Sequence, residues 1–192
     1  MRIEENYSLE KNNTFNLPVK TRWFMEYTNE EELGRVLRDE YFQECLSLHI
    51  GSGSNLLFIN DFNGIILHSA IKGIRVEKET DEHIWLRVGA AERWDDVVAH
   101  AVANGWGGIE NLSLIPGEAG AAAIQNIGAY GAEIKDVIES VETYNQLTFE
   151  KRIFTNEECQ YAYRSSYFKN EHNDPHIVTY IIIRLDKRPS FS

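Results

Sequence analysis

Apolar residues recur at the three- and four-residue spacing of an amphipathic helix in two stretches of the chain. The first stretch predicts a helix over residues 29–43, with Asn29 as its N-cap and three glutamates in its first turn. Its apolar face comprises Leu33, Val36, Leu37 and Tyr41. The second stretch predicts a helix over residues 92–104 that ends at Gly105. Its apolar side comprises Trp94, Val97, Val98, Ala101 and Val102.

Most of the other apolar residues lie in short runs rich in β-branched and aromatic side chains, which predict strands. These runs cover residues 45–50, 55–59, 64–71, 83–89, 138–145 and 177–185. The first part of the chain therefore reads as β-α-β and the second part as a strand-rich region with one helix. This order predicts an α+β fold with a small subdomain over residues 1–60 and a larger one over residues 61–192. The chain ends on a strand and a short Pro-Ser tail, after which a further domain is expected.

Charge and composition narrow the classes of function. The 192 residues carry 19 Lys and Arg against 30 Asp and Glu, a net charge of -11, which argues against nucleic acid or an acidic membrane as a partner. No run approaches a membrane span, and the N-terminal MRIEENYSLEKNN is not a secretory signal. Cys45 and Cys159 are too few for a disulfide framework, so a reducing cytoplasm is expected. No metal site is predicted, because Pro175 separates His172 from His176, and both are expected in a solvated loop.

The first candidate binding segment directly follows a predicted strand. Its residues are Gly51, Ser52, Gly53, Ser54 and Asn55. Two glycines in three residues allow a tight turn that points several backbone N–H groups at one place, as phosphate binding requires. No Lys-Ser/Thr follows, and Leu56 occupies the third glycine position of a dinucleotide fingerprint, so neither of those motifs is present. An ordinary hairpin turn remains the alternative for this segment.

The second candidate segment, residues 115–131, has very little side-chain volume. It contains four glycines and five alanines in the sequence IPGEAGAAAIQNIGAYG. An alanine-rich core helix is one interpretation, but each glycine would cost roughly 1 kcal/mol in a helix. A loop fitted around a large ligand is therefore preferred. Neither segment contains Lys or Arg, so neutral amides would hold a bound diphosphate.

Together with Asn13-Thr14-Phe15 and the stretch YRSSYFK over residues 163–169, the two segments resemble the bacterial UDP-N-acetylenolpyruvoylglucosamine reductase (MurB) family. The resemblance runs from about residue 13 to the end of the chain. It implies a two-subdomain FAD-binding fold of the vanillyl-alcohol-oxidase/PCMH type, with non-covalent FAD between the subdomains. The residues at 51–55 would line the FAD diphosphate. The remaining cofactor contacts would be Ile115, Pro116, Gly117, Gly120, Ala121, Ala122, Gln125, Asn126, Gly128, Ala129 and Tyr130.

The resemblance also implies an activity. FAD would be reduced by NADPH, and the enzyme would convert UDP-N-acetylglucosamine enolpyruvate, a nucleotide sugar, to UDP-N-acetylmuramate. Arg164 would be the catalytic arginine that stabilises negative charge on the substrate carboxylate. Such an enzyme acts in the cytoplasm, in peptidoglycan precursor synthesis, and so in cell-wall biogenesis, cell shape, the cell cycle and cell division. A monomer without nucleic-acid or membrane partners is expected.

The chain departs from the family in three places. Ala123 replaces a usual Pro, and Ser165 replaces a common Asp beside Arg164. The family's third, substrate-binding domain, with its proton-donating serine and active-site glutamate, is absent, so this chain alone is expected to be inactive.

Two alternatives stay open: a flavin-binding module without turnover, or a flavin oxidase of the same fold. Such oxidases often hold the flavin through His or Cys, but His49 is expected to be an ordinary strand residue.

Overall fold

The computed structural model describes residues 1–170 and 172–188, so the Pro-Ser tail, after which a further domain is expected, lies outside the described residues. The chain divides into unit 1, Met1–Ile71, and unit 2, Lys72–Ser192. The boundary is later than residue 60 because the strand Phe62–Ser69 pairs with two strands of unit 1.

Unit 1 is a four-stranded sheet with two short helices. Its elements are β1 (Arg2–Ser8), β2 (Lys20–Tyr27), α1 (Glu30–Leu37), α2 (Glu40–Glu44), β3 (Ser47–Ile50) and β4 (Phe62–Ser69). The strand order is β1-β2-β4-β3, with β1 antiparallel to β2 and both β2 and β3 parallel to β4. A small core cluster contains Leu9, Phe24, Ile50 and Ile66.

The helix predicted over residues 29–43 is two helices. Asn29 is the N-cap of α1, as predicted, and its Oδ1 accepts a hydrogen bond from the Glu32 amide at 2.9 Å. Asp39 then has an extended backbone, and its Oδ1 accepts from the Phe42 amide at 3.1 Å, which starts α2. A second capping side chain inside the predicted helix therefore divides it.

Two other expectations for unit 1 are wrong. The run at 55–59 is not a strand: Leu56 and Phe58 pack against the core cluster, while Leu57 and Ile59 are exposed. Cys45 is the C-cap of α2 and not part of a strand. The strands β1 and β2 were not predicted, and β1 is largely exposed.

Unit 2 is built on a five-stranded antiparallel sheet. Its elements are β5 (Ile74–Glu79), β6 (His83–Gly89), α3 (Trp94–Ala103), α4 (Ala119–Gln125), β7 (Gly128–Ala129), β8 (Ala132–Glu133), β9 (Ile138–Asn145), β10 (Lys151–Thr155) and β11 (His176–Asp186). The large sheet has the order β10-β9-β11-β6-β5, and β7 pairs with β8 as a separate hairpin.

The core of unit 2 contains the side chains of α3 and α4 that face β6, β9 and β11. Trp94 is fully buried, and its indole Nε1 donates to the carbonyl oxygen of Leu112 at 2.9 Å. The predicted apolar side of α3 is confirmed for Trp94, Val97, Val98 and Ala101, but Val102 is 56% exposed. His176 is a buried residue of β11 and does not lie in a solvated loop.

Candidate functional site

The segment 51–55 lies in unit 1 and turns directly after β3. Gly53 has a φ of +71°, and a Cβ built on it would lie 1.8 Å from the carbonyl oxygen of Asn12. The backbone of this turn is therefore pressed against the chain near Asn12, and no side chain fits at position 53.

The donors in this turn suit an anionic group. Across the described ranges, the amides of Gly51, Ser52 and Gly53 donate to no protein acceptor. Unused amides on a turn without bulky side chains fit phosphate oxygens. The turn at 51–55 therefore offers the backbone donors that the diphosphate of FAD would need.

The segment 115–131 lies in unit 2, and its first residues are anchored by Asp95. The Oδ1 of Asp95 accepts hydrogen bonds from the Ser113 hydroxyl at 2.9 Å and from the Leu114 amide at 2.7 Å. These bonds lower the pKa of Asp95, the Leu114 amide having the largest effect. Leu114 has a φ of +61° and is 82% exposed. Asp95 thus fixes the approach of the chain to Ile115, Pro116 and Gly117, of which Pro116 is exposed and the others are half-buried.

The interpretation of the whole segment as a loop is wrong, because its middle forms α4. Gly120 is tolerated there since it lies against Ala90: its amide donates to the Ala90 carbonyl oxygen at 2.9 Å, and an added Cβ would lie 2.8 Å from the Ala90 Cβ. Ala122 is 4% exposed in the core. Gly120 and Ala122, two of the predicted cofactor contacts, therefore face protein, whereas Ala121 and Gln125 are half-buried.

The end of the segment is a tight hairpin. Gly128 and Ala129 form β7, and the two corner residues that follow have positive φ, 51° at Tyr130 and 82° at Gly131. Two successive positive φ values are typical of a type I′ turn, which suits a two-residue hairpin. The Tyr130 side chain is 90% exposed at the tip. We call residues 128–133 the glycine hairpin.

Arg164 lies at the tip of a second turn. The amide of each of Ala162 and Ser165 donates to the other's carbonyl oxygen, at 3.1 and 3.0 Å. Arg164 is exposed with a φ of +53°, and Lys169 Nζ donates to its carbonyl oxygen at 3.1 Å. We call residues 162–165 the arginine hairpin. Backbone hydrogen bonds of Ser165 fix this turn, so the replacement of Asp by Ser leaves it intact.

A cavity of about 320 Å³ in unit 2 brings the two hairpins together. Its lining residues are Asn126, Gly128, Ala129, Gly131, Ala132, Glu133, Tyr163 and Arg164. The structure therefore places the predicted catalytic arginine beside three predicted cofactor residues: Asn126, Gly128 and Ala129. Sequence reasoning missed Glu133 and Tyr163 as lining residues, although they lie just after the glycine-rich segment and directly before Arg164.

The cavity carries charges of both signs. The Glu133 carboxylate forms an ion pair with Lys135, which is the main reason that its pKa is lowered. The Arg164 guanidinium is permanently charged and has several N–H donors in one plane. This arrangement can bind a carboxylate of a ligand at Arg164 while Glu133 stays ionised.

His49 is half-buried and Cys159 is fully buried. His49 Nε2 lies 2.9 Å from the Tyr27 hydroxyl, and burial, together with nearby His68, lowers its pKa to about 3. The Cys159 thiol is buried, and burial is the main cause that raises its pKa to about 11.

Within the described part of the chain, no group of three or more His, Cys, Asp or Glu residues could hold a metal ion. No described helix is long and apolar enough to cross a membrane.

Curated relatives have the same name as the family identified from the sequence. The chain is 50% identical over 192 residues to UDP-N-acetylenolpyruvoylglucosamine reductase of Porphyromonas gingivalis, a match that covers 100% of this chain and 57% of the relative. It is 47% identical over 190 residues to the enzyme of that name in Bacteroides fragilis, with 99% and 57% covered. The chain thus spans just over half the length of these relatives.

Solved structures confirm the fold. The crystal structure of UDP-N-acetylenolpyruvylglucosamine reductase (MurB) from Thermus caldophilus matches with a TM-score of 0.80 and 26% identity, over 98% of this chain and 64% of that one. The 6-hydroxy-D-nicotine oxidase of Arthrobacter nicotinovorans matches with a TM-score of 0.72 at 15% identity, over 96% and 42%. At that identity the second match supports the fold alone.

The profile of one protein family covers most of the chain. That family is described as "FAD binding domain", and its profile matches residues 22–146, which include the turn at 51–55, α4 and the glycine hairpin. The chain therefore belongs to the FAD binding domain family.

Proposed function

We propose that this chain binds FAD non-covalently and is the FAD-binding part of a UDP-N-acetylenolpyruvoylglucosamine reductase. The observation that carries the proposal is the cavity in unit 2, which is lined by Arg164 together with Gly128 and Ala129. The similarity to reductases of that name at 50% and 47% identity supports it.

FAD would be held by the two glycine-rich segments. The amides of Gly51, Ser52 and Gly53 would bind the diphosphate, with Ser54 and Asn55 completing the turn. In unit 2 the accessible contacts would be Ile115, Pro116, Gly117, Ala121, Gln125, Gly128, Ala129 and Tyr130. Gly120 and Ala122 would act through packing, because they hold α4 against the core. Bound FAD supplies hydride transfer.

Arg164 would bind the carboxylate of the enolpyruvyl group. Reduction of the double bond builds negative charge on this carboxylate, and a guanidinium can grip both oxygens. The Lys169 and Ser165 hydrogen bonds hold the backbone at the tip, so the guanidinium is presented from a fixed turn. The serine and glutamate that the family uses would lie in the part of the relatives that this chain does not match, since the chain covers 57% of their length.

The finer assignments follow from the same proposal. NADPH would be the hydride donor, UDP-N-acetylglucosamine enolpyruvate the substrate and UDP-N-acetylmuramate the product. The reaction would take place in the cytoplasm as a step of peptidoglycan precursor synthesis, serving cell shape and division, with the protein acting as a monomer.

Visible absorption of the purified chain tests cofactor binding. We expect a flavin spectrum after FAD is added and excess is removed, and we expect denaturation to release unmodified FAD, detected by its mass. FMN is the matched control, because it lacks the adenylate and the diphosphate that the amides of unit 1 would bind. Equal retention of FMN and FAD, or retention of neither, would contradict the proposal.

Turnover assays separate the reductase from its alternatives. With FAD, NADPH and UDP-N-acetylglucosamine enolpyruvate, the chain alone should show negligible reduction, since a missing general acid costs about 10²–10⁴-fold. A near-normal rate from this chain would contradict the assignment of the proton-donating serine and the active-site glutamate to another domain. Rapid oxygen consumption by the reduced protein would favour the flavin oxidase.

A further inference from the structure

We propose that Asn126 is a positioning residue, one whose side chain fixes the arginine hairpin relative to the glycine hairpin. The inference rests on the proposed function for the role of Arg164, and it replaces a direct cofactor contact for the Asn126 side chain. The role of Asn126 explains how Arg164 is held beside the glycine-rich segment 115–131.

Both the nitrogen and the oxygen of the Asn126 carboxamide form hydrogen bonds within unit 2. Its Nδ2 donates to the Ala162 carbonyl oxygen at 3.0 Å, and its Oδ1 accepts from the Lys135 amide at 3.2 Å. The orientation of the carboxamide is determined by these partners, because a carbonyl oxygen can only accept and a backbone amide can only donate. Asn126 is 1% exposed, so this side chain has little surface left for a ligand.

The position of Asn126 explains why one side chain reaches both the arginine hairpin and the turn that follows the glycine hairpin. It is the C-cap of α4 with a φ of 47°, a left-handed conformation that Asn adopts more readily than most residues. Ala162 begins the arginine hairpin, and Lys135 lies just after the end of the glycine hairpin. The residue thus links the end of α4 to the first residue of the arginine hairpin and to the chain just after the glycine hairpin.

Arg164 depends on such support. Its backbone has a φ of +53°, a strained conformation for arginine that persists only where the surroundings hold it. Ser166 provides a second attachment, because its hydroxyl donates to the Ile124 carbonyl oxygen at 2.6 Å. Ser166 does not reach the glycine hairpin, so it holds the arginine hairpin to α4 only.

Amide hydrogen exchange of three variants tests the link. Asn126→Asp places a carboxylate oxygen against the Ala162 carbonyl and keeps the acceptor for Lys135. We expect exchange protection of the Ala162 and Ser165 amides to fall about tenfold, while the Lys135 amide stays protected. Asn126→Ala should release Lys135 as well, and Ser166→Ala should loosen Ser165 without affecting Lys135. The Ile181 amide, in the central strand β11, reports any global loss of stability.

Lowering the pH should restore amide exchange protection in the Asn126→Asp variant. Once protonated, the introduced carboxyl group regains an O–H donor for Ala162, so the lost protection should return as the pH falls. Glu133, Lys135 and Asp136 are present in every variant, and Arg164 shares the cavity. A hydrogen bond with the Asn126 side chain contributes to the lowered pKa of Glu133, so both variants at position 126 also remove that contribution. Asn126→Ala, measured over the same pH range, should show no recovery. A role of Asn126 only as the left-handed C-cap of α4 would not produce this pH-dependent difference between the two variants.

FAD affinity distinguishes failure of this inference from failure of the proposed function. Asn126→Asp should bind FAD within about threefold of the wild type, because its side chain is committed to protein partners. A tenfold weaker affinity with unchanged protection of the arginine hairpin would make Asn126 a cofactor contact and overturn the inference. If the wild type binds no FAD, the proposed function fails, while the exchange experiments still decide whether the link exists.

Discussion

The Cβ position of Gly53 lies 1.8 Å from the carbonyl oxygen of Asn12, closer than any side chain permits. The glycine at this position is therefore required by the fold of unit 1, independently of any ligand. Gly105 offers a matched comparison: its φ of +72° equals that of Gly53 within one degree, but among residues 1–170 and 172–188 no atom beyond its chain neighbours lies within 4 Å of its Cβ position.

We expect Gly53→Ala to lower the free energy of unfolding by about 2–4 kcal/mol, because it adds a backbone clash to the strain of a positive φ. Gly105→Ala should cost only about 1 kcal/mol, since it adds the strain alone. Urea unfolding of both variants measures the difference. Equal losses would mean that the turn at 51–55 moves away from Asn12 at little cost.

Leu114 should be replaceable by glycine with a gain in stability. Its φ is +61° and its side chain is 82% exposed, so the substitution relieves backbone strain and loses little packing. We expect Leu114→Gly to raise the free energy of unfolding by about 0.5–1 kcal/mol. Leu147→Gly is the control, since Leu147 is 64% exposed without a positive φ, and it should be destabilising. A loss of stability in both variants would show that Leu114 is not strained.

His176 should make the stability of unit 2 depend on pH. The Thr143 hydroxyl donates to the Arg152 carbonyl oxygen at 3.0 Å, so it accepts from His176 Nδ1 at 2.8 Å. The Asn145 amide then donates to Nε2 at 3.3 Å, which requires a neutral imidazole. Burial, with nearby Arg152, lowers the pKa of His176, and Asp174 only partly opposes this shift.

The sign of the effect follows from this lowered pKa. Above roughly pH 6.5, the ordinary value for histidine, the neutral imidazole contributes its full stability. Below that pH the unfolded chain takes up the proton first, so stability falls until the pH reaches the lowered pKa of the folded state. Urea midpoints of the wild type and of His176→Gln between pH 8 and 5 measure the contribution. Parallel pH profiles would contradict the assignment of a neutral His176.

The two cysteines should differ in reactivity. The Cys159 thiol is fully buried with a pKa raised to about 11, whereas Cys45 is partly exposed. Since the thiolate is the reactive species, we expect iodoacetamide at pH 8 to modify only Cys45 in the folded protein and both cysteines in urea. The mass of intact protein reports the number of added groups, and Cys45→Ser should stay unmodified until it unfolds. Rapid labelling of Cys159 would show that its loop opens.

Local signals explain which parts of the fold could be predicted. Asn29 and the glutamates after it specify the start of α1, and the apolar runs at 83–89 and 138–145 became β6 and β9. Among the strands that were missed, β1 and β5 are mostly exposed and rich in charged residues, so their apolar pattern is weak. β2 differs, because Phe24 and Tyr27 are buried and it pairs in parallel with β4, a partner far along the chain that no local pattern records.

Long-range packing also explains the errors at the candidate site. The glycines argued for a loop at 115–131, but Gly120 lies in a helix because Ala90 leaves no space for a side chain. The resemblance implied Asn126 as a cofactor contact, and its hydrogen-bond partners Ala162 and Lys135 become visible only in the folded chain.

The strand β5, at one edge of the five-stranded sheet, has a consequence for self-association. Its residues after Ile74 are exposed, four of them are charged, and its pairing with β6 is irregular between Val76 and Lys78. A strand from another molecule would have to desolvate these charges and match an uneven hydrogen-bonding edge. This edge is therefore a poor template for amyloid-like stacking in concentrated solution.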